Sequence, residues 1–98
     1  MKSYKITTQE MGGFPLEEYG DPETTIVEAE NEIDLMDKME WKLDEDDENH
    51  KYSNELVLEC IKSEDMFFYR DDTDSYDSEL YVWDGENSDG TKIEIEIV

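Results

Sequence analysis

Histidine and cysteine each occur once in this 98-residue chain, as His50 and Cys60, against thirty aspartates and glutamates. Acid–base or nucleophilic catalysis needs a reactive group held within hydrogen-bond reach of a matched partner. His50 follows an acidic run and reads as a solvent-exposed bystander. Cys60 sits in the most apolar stretch of the chain, where a thiol is buried and inert. No nucleophile elbow, P-loop or glycine-rich phosphate loop surrounds any Ser, His or Asp. Acid–base carboxylate pairs cannot be singled out when almost every third residue is acidic. The residues point away from an enzyme and imply no cofactor.

Metal binding has one test. Asp72, Asp74, Tyr76 and Asp77 begin like a calcium loop, with acids at alternate positions. An EF-hand loop starting at Asp72 requires glycine at position 77 and glutamate at position 83, where this chain has Asp77 and Trp83. A dedicated metal site is not expected.

The acidic clusters remain. The first is Asp44, Glu45, Asp46, Asp47 and Glu48; the second is Asp71, Asp72, Asp74, Asp77 and Glu79, with Tyr76 in its middle; the third is Asp84, Glu86 and Asp89. Alternate residues on a strand lie roughly 6.6 Å apart, similar to successive phosphates along a nucleic-acid strand. Acids at 72, 74, 77 and 79, and Glu94 with Glu96, can therefore form a phosphate-like row. Each cluster taken singly is equally well a solvated loop or face.

The formal charge of −22 favours a purpose for the clusters together. A compact domain so far from neutrality repels itself. A folded chain of this mass exposes about 5,800 Å², or about one net charge per 265 Å². Duplex DNA carries about one per 107 Å². Gathered on half the surface, the excess approaches the charge density of DNA, which suits a cationic partner surface. Tyr76, Tyr69, Tyr52 and Trp41 are candidate apolar anchors among the acids, since Tyr and Trp dominate interface hot spots. Trp41 and Tyr69 read more readily as core, and Tyr76, between Asp74 and Asp77, as exposed.

The elements that must carry these groups belong to one domain, residues 1–98. Apolar residues make up 36% of the chain, too rich for an acidic disordered tail. A lone cysteine fits a reducing compartment, and there is neither a membrane-length apolar run nor a signal-peptide core. The expectation is a soluble protein of a bacterial cytosol.

Lys2 to Thr8 alternates as a first strand, and Met11 to Pro15 with Gly20 to Pro22 punctuates a long loop. Thr24 to Ala29 reads as a second strand. Asn31 caps a helix whose apolar stripe runs from Ile33 to Leu43, ending near Asp44. The run from Asp44 to Asn49 is expected outside regular structure. Glu55 to Lys62, Met66 to Tyr69, Leu80 to Trp83 and Lys92 to Ile97 read as four strands. Residues 71–78 separate two of them, and the segment from Asp84 to Gly90 is a hairpin loop. The order is ββαββββ: an α+β fold with a mostly antiparallel sheet of about five to six strands and one helix packed on it.

In size, charge, lone cysteine and mixed architecture the chain resembles small phage-encoded DNA mimics: anti-restriction proteins, anti-CRISPR proteins and the uracil-DNA glycosylase inhibitor. The segment from Leu80 to Ile95 looks faintly like the closing hairpin of the last of these. No family motif carries the resemblance, and the inhibitor's Glu-Ser recognition strand and apolar pocket are not evident. The resemblance implies an inhibitor that occupies the cationic groove of a basic nucleic-acid-binding protein, a nuclease or CRISPR effector, without binding nucleic acid or membrane itself. An immunity protein that neutralises a cationic toxin nuclease needs the same acidic face. An acidic structural or halophilic protein needs no specific partner. The sequence leaves the oligomeric state open.

Overall fold

The computed structural model describes residues 1–12, 17–44, 46, 48–71, 75–77 and 90–98. Among these, β1 (Lys2–Gly12), β2 (Glu17–Ala29), α1 (Glu32–Met39), α2 (Glu48–Lys62), β3 (Met66–Arg70), β4 (Ser75–Asp77) and β5 (Gly90–Ile97) follow one another along the chain. The five strands form one antiparallel sheet in the order β2-β1-β5-β3-β4, so the fold is α+β.

Alternation sorts the strand residues onto two faces. Tyr4 and Ile6 of β1, Ile93 and Ile95 of β5, Phe67 of β3 and Tyr76 of β4 join one buried core with Leu35 and Met36 of α1 and Val57, Cys60 and Ile61 of α2. Helix α1 packs against β2 and α2, while α2 lies across β3, β4 and β5. The opposite face of the sheet carries Lys5, Thr7, Glu94 and Glu96.

The first hairpin is longer than its sequence suggests. β2 begins at Glu17, inside the expected loop, because a bulge absorbs the turn-forming residues. The pairing of β1 with β2 shifts register between Thr8 and Glu10. The buried Gln9 side chain fills the irregularity, with Nε2 donating to the Gly20 carbonyl at 3.0 Å. Gly20 itself has φ of 68°, a conformation glycine adopts without steric penalty. Pro22 is tolerated because β2 is an edge strand, where no neighbour needs its missing N–H.

Helix α1 starts where expected. Asn31 Oδ1 accepts from the Asp34 amide at 2.9 Å, and Asp34 reaches back to accept from the Glu30 amide at 2.9 Å. It stops at Met39, five residues before the expected end. Glu40 takes a left-handed conformation (φ 59°), its amide donating to the Asp37 carbonyl at 3.3 Å while the Trp41 amide donates to Met36 at 3.0 Å. This turn swings Trp41 into the core.

The expected strand Glu55 to Lys62 is instead the second half of α2. Ser53, Val57, Cys60 and Ile61 are buried while Glu55, Glu59 and Lys62 are exposed, a helical spacing. The acidic run preceding it is correspondingly not all irregular. Glu48 opens the helix, at the end where the dipole favours anions. The expected spacer 71–78 contains a strand, β4. The expected strand Leu80 to Trp83 and most of the following loop lie outside the described residues.

Candidate functional site

The residues singled out from the sequence are dispersed. Asp44, Asp46 and Glu48 are exposed between α1 and the start of α2, where Asp44 Oδ1 accepts from the Asp46 amide at 3.2 Å. The His50 ring is half-buried, its Nδ1 lying 3.0 Å from the Asp44 carbonyl oxygen. Asp71 is exposed just past β3. Glu45, Asp47, Asp72, Asp74, Glu79, Asp84, Glu86 and Asp89 fall outside the described residues.

Two expectations are corrected. Tyr76 is not an exposed anchor. It is 4% exposed, with its ring 5.6 Å from that of Phe67 and 5.0 Å from that of Tyr69, and its amide donates to Ser53 Oγ at 3.2 Å. Its neighbours on the three-residue strand point the other way, so acids flanking it in sequence say nothing of its own side. Asp77 is half-buried and lies 3.6 Å from Arg70, so its charge is compensated. Trp41 is core, edge-on to Phe67 at 5.2 Å, and Tyr69 is half-buried. Tyr52, 60% exposed on the outer face of α2, is the anchor candidate that faces solvent.

The proposed row at Glu94 and Glu96 runs along the helix-free face, and this face is not where uncompensated charge gathers. Lys5 lies 4.0 Å from Glu96, and Lys92 lies 2.8 Å from Glu18. With Arg70 and Asp77, three of the chain's eight bases are matched to acids there.

Uncompensated carboxylates instead line the helix side of the sheet, at the end that α1 leaves uncovered. Three depressions adjoin. The middle one, about 350 Å³, lies between the end of α1 and the sheet and is lined by Met39, Glu40, Trp41, Leu43, Tyr69, Tyr76 and Ile93 with Thr8 and Thr91. Thr8 and Thr91 also border the second, about 380 Å³, which adds Glu10, Gly20, Asp21 and Glu23. Glu40 and Leu43 border the third, about 630 Å³, with Met36, Asp37, Lys42 and Asp44. Glu10, Asp21, Glu23, Asp37, Glu40 and Asp44 thus flank one trough whose lining includes a single base, Lys42. None of the six is in an ion pair among the described residues.

Local geometry explains the placement. β1 pairs with β5 in unbroken register, so plain alternation from Tyr4 and Ile6 through Thr8 sets Glu10, opposite Thr91, on the helix side. Glu23 pairs with Thr8 in the same register that sends Val27 and Ala29 inward. The left-handed turn at Glu40 ends α1 and opens the middle depression beyond it. Sequence reading passed over Glu10, Asp21, Glu23, Asp37 and Glu40 because they form no run. The signal that finds Glu10 is the alternation it shares with Tyr4 and Ile6, and Glu23 follows from the pairing of β2 with β1.

Chemically the trough is a field-focusing concavity of one sign. No group of acidic, histidine or cysteine side chains suited to a metal ion occurs among the described residues. The Cys60 thiol is pushed up to about 11, first by burial and then by the Asp65 and Glu59 carboxylates, so it is not a nucleophile near neutrality. No helix among the described residues is long and apolar enough to cross a membrane. Comparison with known proteins finds no family model, no curated protein and no solved structure that matches the chain.

Proposed function

We propose that this protein is a DNA-mimic inhibitor whose acidic surface occupies the cationic nucleic-acid-binding groove of a bacterial defence nuclease or CRISPR effector. The observation that carries the reading is the asymmetry of charge compensation. On the helix-free sheet face Glu96, Asp77 and Glu18 have Lys5, Arg70 and Lys92 as partners, leaving Glu94 over, whereas the trough keeps six carboxylates without an ion pair among the described residues around one lysine. A basic groove that binds DNA by releasing the cations condensed on its phosphates can release those held by such a surface in the same way. The long-range field steers the encounter at a fast, salt-sensitive rate. Inhibition is competitive occlusion, with no chemical step.

The test is capture from bacterial lysate on the immobilised protein at low salt, with elution by duplex DNA. A nuclease or effector released by the duplex is the expected result. The Glu10→Lys, Asp21→Lys, Glu23→Lys triple variant should lose that protein. Capture of generic basic proteins alone, or of the same set by the variant, sinks the proposal. A captured toxin nuclease, rather than a defence effector, identifies an immunity protein acting through the same surface.

A further inference from the structure

Charge alone gives a weak and promiscuous ligand, so the trough needs an element of shape. Its middle depression differs in kind from its flanks. Trp41, Tyr69 and Tyr76 supply aromatic walls, Met39, Leu43 and Ile93 apolar ones, and Glu40 the only formal charge. We infer that this depression is a receptor for one arginine side chain of the basic partner, an inference that rests on the reading of that partner as cationic.

Three features select that occupant. First, the sign of the field is doubly set: the Glu40 carboxylate stands where the carbonyl end of α1, the negative end of its dipole, also points. Glu10, Asp21 and Glu23 on one side and Asp37 and Asp44 on the other add to it, and no lysine or arginine lines the depression itself. Second, aromatic walls attract a flat guanidinium by cation–π contact and stacking, while a strongly hydrated ammonium gains less. Third, the apolar walls match the methylene stem of a long cationic side chain. A volume of about 350 Å³ is large for a packing fault, and the depression opens to solvent rather than closing over.

The test is a two-dimensional NMR titration with the probe N-acetyl-Gly-Arg-Gly-amide at about 0.15 M salt, where exposed charges are screened beyond roughly 8 Å. Saturable shifts should centre on Glu40, Trp41, Leu43, Tyr69 and Tyr76. The citrulline analogue, equal in shape but uncharged, should leave them in place. Glu40→Gly removes the carboxylate and suits the left-handed backbone there, so the fold is retained; binding should weaken by about fivefold. Tyr69→Leu should weaken it similarly. Shifts that never saturate, shifts shared equally by Glu28, Glu55 and Glu59, a response to citrulline, or an indifferent Glu40→Gly each overturn the inference.

The two proposals fail separately. Arginine seated in the depression, with no DNA-displaceable partner found, keeps the receptor and removes the mimicry. A DNA-displaceable partner held equally by the wild type and Tyr69→Leu keeps the mimicry and removes the receptor.

Discussion

The side chain of Asn54 closes two hydrogen bonds with the main chain of Leu43: Nδ2 donates to its carbonyl at 2.8 Å, and Oδ1 accepts from its amide at 2.8 Å. The carboxamide stands in for a strand neighbour, pinning the segment that follows Trp41 to the second turn of α2. Asn54 is 6% exposed, and this pairing satisfies both of its polar ends. It fixes one wall of the trough from behind.

Replacing Asn54 by Ala leaves the amide and carbonyl of half-buried Leu43 without those partners. Urea unfolding should show a loss of about 1–3 kcal/mol, the cost of orphaned backbone groups. Asn54→Asp keeps the acceptor but has no donor for the carbonyl, and adds a charge to an already over-charged chain. It should be no better than Ala.

Two glutamates close helices in the left-handed region, Glu40 at φ 59° and Glu64 at φ 52°. Glycine removes the strain at either site, a gain of about 1 kcal/mol. Glu40→Gly should realise that gain in urea unfolding. Glu64 Oε1 also accepts from the Ile97 amide at 2.8 Å, so Glu64→Gly forfeits a bond while it relieves the backbone. Its net change should be near zero, and equal gains at the two sites contradict the assignment.

The raised Cys60 pKa makes stability depend on pH in the alkaline range. The folded state holds the thiol neutral, while an unfolded cysteine ionises near 8.5. The contribution is therefore complete below that value and is lost as pH rises through the folded value of about 11. Cys60→Ala should flatten this part of the stability curve, at the cost of a small core cavity. At pH 7.5 a thiol-specific reagent should label the unfolded protein and leave the native one almost untouched.

Self-repulsion should be visible in salt. With a formal charge of −22, screening stabilises the compact state, so Tm should climb between 20 and 500 mM sodium chloride (about 21 down to 4 Å Debye length). Partner capture should fall over the same range. A halophilic protein without a partner would instead unfold at the low end.

Much of the architecture is legible along the chain. Tyr4 and Ile6 against Lys5, and Ile93 and Ile95 against Glu94 and Glu96, announce strands by strict alternation, and Asn31 announces α1 by its cap. Helix α2 is hidden because its inward face begins with Ser53 and Asn54. Both are buried, but they are committed to hydrogen bonds with Tyr76 and Leu43, so hydropathy shows only the run from Leu56 to Ile61. Of the five acids from Asp44 to Glu48, read as a self-repelling loop, the last opens the helix. The trough was illegible for a different reason. Its acids come from β1, β2, α1 and the segment after α1, and only the tertiary fold brings them to one side.

The outermost strand, β2, is exposed on both faces from Gly20 to Ile26, and among the described residues no strand pairs with its outer row of amides and carbonyls. Such a border invites stacking of copies into fibrils. Asp21, Glu23 and Glu28 guard it by repulsion and Pro22 by withholding a donor. Substituting Asp21, Glu23 and Glu28 by their amides would remove the first guard and leave only the second. The same carboxylates that give the chain its charge thus double as its protection against amyloid-like assembly along this border.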